Sequence, residues 1–139
     1  DLTIGFTRVR EMYGHLEWTD GDLCIILPKL NSDLVMEGRT LRHCVGGYGK
    51  THASGSSLIF FVRKYRRPER PYYTLNISMK GRPKELQLHG YGNERHGPNK
   101  EYCHSIPAKV REFCDRWENE ILLPWYAEKQ RQQKEEMTA

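Results

Sequence analysis

The chain has few cysteines, and this shortage argues against both a disulfide-rich and a zinc-stabilised small protein. Its 139 residues contain four widely spaced cysteines, Cys24, Cys44, Cys103 and Cys114. A chain of this size can build a core without a disulfide framework, so we expect reduced thiols. The pairs His43-Cys44 and Cys103-His104 lack the two-to-four-residue ligand spacing of structural zinc sites. We therefore expect neither a metal nor a cofactor.

Long apolar runs are also absent. No stretch approaches the roughly 20 consecutive apolar residues that span a bilayer. The first residues lack the charged and then apolar pattern of a secretory signal. We therefore expect a cytoplasmic protein without a membrane partner. The chain opens on Asp1 rather than Met, which fits a fragment of something longer.

The composition is that of one globular domain. Hydrophobic residues make up 37% of the chain and aromatic residues 11%, which is enough for a single core. Residues 127–139 are charged, mixed in sign and almost free of apolar side chains. We predict one domain over residues 1–126, followed by a solvated helix extension or a disordered tail.

Hydrophobic periodicity predicts an α+β fold. Helical spacing runs from Phe6 to near Gly14, and again from about residue 106. Between them we predict a short helix closed by Gly38 and a helix over 41–53. Strands are predicted over 57–64, 71–79 and 84–91. The expected architecture is a three-stranded antiparallel meander, with room for a fourth short strand over 23–27, packed against N-terminal, central and C-terminal helices.

A two-residue turn at Lys80-Gly81 would set the register of the last two strands. Leu75 would then oppose Leu86, and Thr74 would oppose Gln87. One sheet face becomes an ordinary apolar core face. The other mixes large apolar side chains with uncharged hydrogen-bonding ones, namely Ile59, Phe61, Thr74, Asn76, Gln87 and His89. That second face is either solvated or a covered polar pocket.

The stretch Leu41-Arg42-His43-Cys44-Val45-Gly46-Gly47-Tyr48 marks a candidate site. Two adjacent glycines cost roughly 1 kcal/mol each in a helix, so a packing or functional reason is expected. His43 and Cys44 are the side-chain types most able to titrate or attack near neutral pH.

One hypothesis is a small enzyme, either a hydrolase or a transferase using a nucleotide cofactor. Cys44 would be the nucleophile and His43 or His89 the base, with His89 better placed because neighbours on a helix point about 100° apart. The orienting and substrate-binding candidates are Thr74, Gln87, Asn93, Tyr48 and Tyr72. Alternatively, Cys44 is a buried hydrophobe beside a glycine pair.

The other hypothesis is a nucleic-acid-binding module. Residues 61–111 contain twelve Lys or Arg against four acids, whereas the whole chain carries a net charge of only +4. Such asymmetry indicates an electropositive surface that meets phosphates, or else hairpin tips that are simply solvated. The candidate contacts are Arg63, Arg66, Arg67, Arg70, Lys80 and Arg82.

Several segments together resemble the PcfJ-like family of conjugative plasmids and phages. The resemblance covers roughly residues 26–117, and its most specific part is His43-Cys44-Val45-Gly46 and Tyr48 with the downstream Thr74 and Gln87. Further matching segments are Glu37-Gly38, Val62-Arg63-Lys64, Pro71-Tyr72-Tyr73-Thr74-Leu75 and Gln87-Leu88-His89-Gly90 with Asn93. Family members usually carry an acid shortly after the threonine, where this chain has Asn76. The resemblance implies a mobile-element setting and protein partners from a DNA-transfer or phage system; it implies no reaction.

Overall fold

The chain folds around an antiparallel sheet. The computed structural model describes residues 1–93, 95–96 and 106–138. The strands are β1 (Trp18–Asp20), β2 (Leu23–Ile26), β3 (Ser57–Lys64), β4 (Tyr73–Ser78), β5 (Lys84–His89) and β6 (Arg95–His96). They lie in the sheet in chain order. The α+β class and the antiparallel meander are confirmed, although the sheet has more strands than the three or four predicted.

Helices cover both faces of the sheet. They are α1 (Thr3–Tyr13), α2 (Asn31–Leu41), a 3₁₀ helix (Cys44–Tyr48), α3 (Gly49–Ser54), α4 (Ala108–Trp117), a π-helical turn (Glu118–Leu122) and α5 (Leu123–Thr138). Residues 127–138 therefore belong to a helix, and the domain boundary at residue 126 stays a prediction. Among the described residues, no helix is both long and apolar enough to cross a bilayer.

The two sheet faces carry different cores. The predicted apolar face packs its strands against α4, and Trp117 is fully buried there with its indole nitrogen donating to the carbonyl of Leu16 at 2.7 Å. Cys114 belongs to this core and is buried. The other face is covered by a smaller cluster of Phe6, Leu34, Val45, Ile59 and Phe61. Thr74 and His89 lie buried on that face, so a covered polar pocket describes it better than a solvated surface.

The predicted hairpin register is wrong by two residues up to Asn76 and by one residue beyond it. Thr74 pairs with His89, Leu75 with Leu88 and Asn76 with Gln87. Ser78 pairs with Lys84, so five residues connect the strands instead of two, and a bulge follows Asn76. Pro83 has no N–H and cannot continue the ladder, which explains the longer connection. Because the shift is even, Thr74 and Gln87 keep the same face, as diagonal neighbours rather than directly opposed.

The predicted helix over 41–53 is confirmed only at its end, where α3 spans Gly49–Ser54. Helix α2 continues through Gly38 and ends at Leu41, and its C-cap Arg42 has a left-handed φ of 56°. Gly38 does not close a helix. A Cβ at Gly38 would lie 2.9 Å from the carbonyl oxygen of His43, so this glycine lets the next segment fold back against α2. His43 is then extended, and the 3₁₀ helix starts at Cys44.

Candidate functional site

A buried ion pair lies between α2 and β3. The guanidinium of Arg63 donates from Nη1 to Oε2 of Glu37 at 2.9 Å and from Nη2 to Oε1 at 2.5 Å. Glu37 is 1% exposed and Arg63 is 4% exposed. The two parallel hydrogen bonds form a bidentate ion pair, in which each buried charge is compensated by the other instead of by water.

Two side chains extend the pair into a chain of hydrogen bonds. The Thr74 hydroxyl donates to Oε2 of Glu37 at 2.7 Å, and Nε2 of His43 lies 3.1 Å from the same hydroxyl. The backbone N–H of Val45 donates to Nδ1 of His43 at 3.4 Å, so the ring proton belongs on Nε2 and is donated to Thr74. Burial lowers the pKa of His43, and the carboxylate of Glu37 opposes this. We call Glu37, Arg63, Thr74 and His43 the Glu37 network.

His89 and Gln87 lie beside this network. The His89 ring meets the His43 ring edge-on with centroids 5.3 Å apart. Nε2 of His89 lies 2.6 Å from Oε1 of Gln87, and because an amide oxygen only accepts, the histidine is the donor. Four of the predicted catalytic candidates therefore come together: His43, Thr74, Gln87 and His89.

Cys44, the fifth candidate, follows His43 directly but takes no part in the described hydrogen bonds of this arrangement. Its side chain is exposed, so the alternative of a buried hydrophobe is wrong for this residue. It borders a cleft of about 320 Å³ that is also lined by Arg39, His43, Gly46 and Gly47. Both ring nitrogens of His43 already make hydrogen bonds, to Thr74 and Val45. His43 is therefore poorly placed to take a proton from Cys44.

The exposure of Cys44 predicts selective alkylation. Iodoacetamide should modify Cys44 in the native protein and leave the buried Cys24 and Cys114 unmodified until denaturant is added. Cys44→Ala and Cys44→Ser should each change the free energy of unfolding by less than about 0.5 kcal/mol, as exposed positions usually do. Mass spectrometry of the digested protein and urea titration measure both effects. Native protection of Cys44 would contradict the described geometry.

The substrate-binding candidates are scattered. Tyr48 is half-buried against the Phe6 cluster. Tyr72 is half-buried just before β4, where its ring meets that of Tyr73 edge-on with centroids 4.8 Å apart. Asn93 ends a short turn, and its side chain lies outside the described part of the chain. These three residues do not form a single described pocket.

The predicted phosphate-contacting residues occupy three places. Arg63 is buried in the Glu37 network, where its guanidinium is paired with the carboxylate of Glu37. Lys80 and Arg82 are exposed in the β4–β5 connection, whereas Arg66, Arg67 and Arg70 are exposed in the β3–β4 loop, residues 65–72. Successive connections in an antiparallel meander lie at opposite ends of the sheet, so these two exposed groups form separate surfaces.

The β3–β4 loop is built from two consecutive turns. The N–H of Arg67 donates to the carbonyl of Lys64 at 2.9 Å, and that of Arg70 to the carbonyl of Arg67 at 3.0 Å. Pro68 takes the second position of the latter turn, where its fixed φ is favoured. Nε of Arg63 donates to the carbonyl of Pro68 at 3.1 Å. The Glu37 network therefore braces the loop that carries the three exposed arginines.

A basic cleft opens beside this loop. It measures about 440 Å³ and is lined by Lys64, Arg67, Arg70, Pro71 and Tyr72. Nζ of Lys64 lies 4.9 Å from the centroid of the Tyr72 ring. In the part of the chain that the structure describes, the ion pairs leave out Lys64, Arg66, Arg67 and Arg70. Four cations are thus open to an anionic ligand.

Sequence reasoning gave no role to Glu37 or Lys64. A signal for Glu37 was present, because α2 buries Leu34, Glu37, Gly38 and Leu41 at the 3- and 4-residue spacing of a core-facing stripe. An acid on such a stripe needs a buried partner. No signal separated Lys64 from other strand-end lysines.

Within residues 1–93, 95–96 and 106–138, no three His, Cys, Asp or Glu side chains are grouped to hold a metal.

Comparison with known proteins identifies the family. The model of the family described as "PcfJ-like protein" matches residues 6–104. A Listeria innocua protein named "Uncharacterized protein Lin1253/Lin1744" is 47% identical over 62 residues, which is 43% of this chain and 14% of that protein. The match thus spans about a seventh of that relative. No solved structure matches. Since the family model covers most of the chain, including both the Glu37 network and the β3–β4 loop, the chain belongs to the PcfJ-like family.

Proposed function

We propose that this domain binds nucleic acid through the phosphate backbone, using the exposed cations of the β3–β4 loop. The observation that carries the proposal is a set of four exposed cations outside the described ion pairs: Lys64, Arg67 and Arg70 line one cleft, and Arg66 lies on the adjoining β3–β4 loop. Phosphate oxygens are the usual partners of such arginine clusters. The mobile-element setting implied by the family resemblance is compatible with a DNA or RNA ligand.

The Glu37 network has a positioning role in this proposal. Phosphate contacts depend on where the loop is held, and Arg63 connects the Pro68 carbonyl to the buried carboxylate of Glu37. A loop fixed before binding loses less conformational entropy when its ligand arrives. The polar residues that suggest catalysis thus support a rigid binding loop instead. A small enzyme is the weaker alternative, because the His43 nitrogens are bonded within the network and Cys44 faces solvent.

Charge reversal in the loop tests the proposal. The triple variant Arg66→Glu, Arg67→Glu, Arg70→Glu should lose at least about tenfold in affinity for duplexes of two unrelated sequences. Its slope of log affinity against log salt should be smaller by about 0.9 for each duplex phosphate that the variant no longer neutralises. Fluorescence anisotropy with labelled duplexes, at salt between about 50 and 200 mM, measures both.

The matched control reverses three exposed cations on helices, Arg8, Lys50 and Lys134. Each triple variant changes the net charge by −6, from +4 to −2. Only the loop variant should lose most of its affinity. Equal losses of affinity in both variants would show that the overall charge, not the loop, determines binding. No binding by the wild type at low salt would refute the proposed function.

A further inference from the structure

The basic cleft combines cations with an aromatic wall. An ordinary phosphate surface needs only the cations, yet this cleft also includes the half-buried ring of Tyr72. Tyr65, at the other end of the same loop, is 59% exposed. Aromatic rings interleaved with cations characterise sites where unpaired bases stack while the groove follows the backbone. A stacking contact requires a base that is free of its own duplex.

The dimensions of the cleft fit the same conclusion. A volume of about 440 Å³ lies within the range of pockets that enclose a small molecule. A duplex keeps its bases paired and stacked, so it can present only phosphates and groove edges to the cleft rim. An unpaired nucleotide can enter, with its base against one wall and its phosphates at the other.

Lys64 covers the Tyr72 ring in the free protein and can give up this place to a base when a ligand binds. Its ammonium lies over the Tyr72 ring at 4.9 Å, and no acid among the described residues pairs with it. An ammonium on a flexible four-carbon stem can leave the ring and follow a phosphate as a base takes its place. The edge-on contact with Tyr73 limits rotation of the Tyr72 ring. Lys109 of α4 is close enough for its charge to act on the Tyr72 hydroxyl, but its ammonium is paired with Asp22 at 2.8 Å, so the cleft relies on Lys64, Arg67 and Arg70.

We infer that the basic cleft binds one unpaired nucleotide, with the base stacked on Tyr72 and the flanking phosphates at Lys64, Arg67 and Arg70, so that the domain prefers single strands to duplexes. This inference rests on the proposed function and adds the ligand class. The shared chemistry is a single-stranded polynucleotide, either DNA or RNA. The 2′-hydroxyl alone distinguishes the two, so both are tested.

Substitution of Tyr72 separates stacking from phosphate contact. For single strands of about 20 nucleotides, Tyr72→Leu should weaken binding about 5- to 100-fold, because stacking on an aromatic ring contributes that much. Its affinity for the matching duplex should stay unchanged, and Tyr72→Phe should behave as wild type on both. Tyr126→Leu, at another half-buried tyrosine on α5, is the matched control. Anisotropy titrations use the DNA strand, the RNA strand and the duplex in parallel.

Photo-crosslinking gives an independent readout if Tyr72→Leu does not fold. Irradiation of the wild-type protein with a single strand that contains 5-iodouracil should attach the strand to the peptide that contains Tyr72. Duplex affinity equal to or above single-strand affinity, or a crosslink elsewhere, would overturn this inference and leave phosphate binding standing. No binding to strand or duplex at low salt would instead overturn the proposed function and this inference with it.

Discussion

Replacing Glu37 with Met is expected to lower the free energy of unfolding by about 3 to 5 kcal/mol. The substitution keeps the length of the side chain but leaves the guanidinium of Arg63 buried without its carboxylate, and an uncompensated buried charge costs about that much. The hydroxyl of Thr74 loses its acceptor as well. Urea denaturation followed by circular dichroism measures the change.

The double variant Glu37→Met, Arg63→Met is the control for this interpretation. It removes both charges and fills their place with apolar side chains, which is often neutral or stabilising for buried ion pairs. Much of the stability lost in the single variant should therefore return. If the double variant instead loses the sum of the two single effects, the pair is not coupled and the buried-charge explanation fails.

Lowering the pH from 7 to 4 is expected to remove about 3 kcal/mol of stability through His52 alone. His52 is fully buried against Phe6, and its Nδ1 accepts the Ile59 N–H at 2.9 Å. Burial lowers the pKa of His52 from 6.5 to about 4. Between these two values the unfolded chain binds a proton that the folded protein does not, so stability falls as pH falls and levels off below about pH 4. The lowered pKa of His43 acts in the same direction.

The variant His52→Asn isolates this effect. The Asn oxygen can accept the Ile59 N–H but does not titrate, so the stability of the variant should depend less steeply on pH between about 4 and 6.5. Thermal or urea unfolding at a series of pH values gives the slope, which is compared with that of His15→Asn at an exposed histidine. A slope that changes equally in both variants would contradict the assignment to His52.

Local patterns predicted most of the elements of the fold. Strand β3 has the predicted bounds, and β4 and β5 lie within their predicted ranges. The faces of Thr74, Gln87 and His89 were also predictable, because alternation along a strand survives an even error in register. Beyond the bulge the error is one residue, so Glu85 pairs with Ile77 of the core face. The register itself depended on the turn, where Pro83 and a bulge lengthened the connection beyond two residues.

The path through residues 41–48 was not predictable from local patterns. A left-handed Arg42 is unusual for a residue with a side chain, and it is held by the return of the chain over Gly38. The burial of Arg63 could not be predicted from local patterns either, since its partner Glu37 lies 26 positions away on another element. The convergence of His43, Thr74, Gln87 and His89 could be foreseen in part from the sheet faces. The bonding that ties His43 to Thr74 and away from Cys44 could not.

The strand order determines which part of the domain can fold first during synthesis. Each strand pairs with the strand that emerged just before it, so the sheet can form while the chain is still being made. Its apolar face is covered only when α4 and the residues up to Leu122 arrive, roughly 30 residues after β5. At translation rates of about 5 to 20 residues per second, Phe60, Leu75 and Leu88 remain uncovered for about 2 to 7 seconds. The nascent chain is therefore most prone to aggregation, and most in need of a chaperone, just before its last helices leave the ribosome.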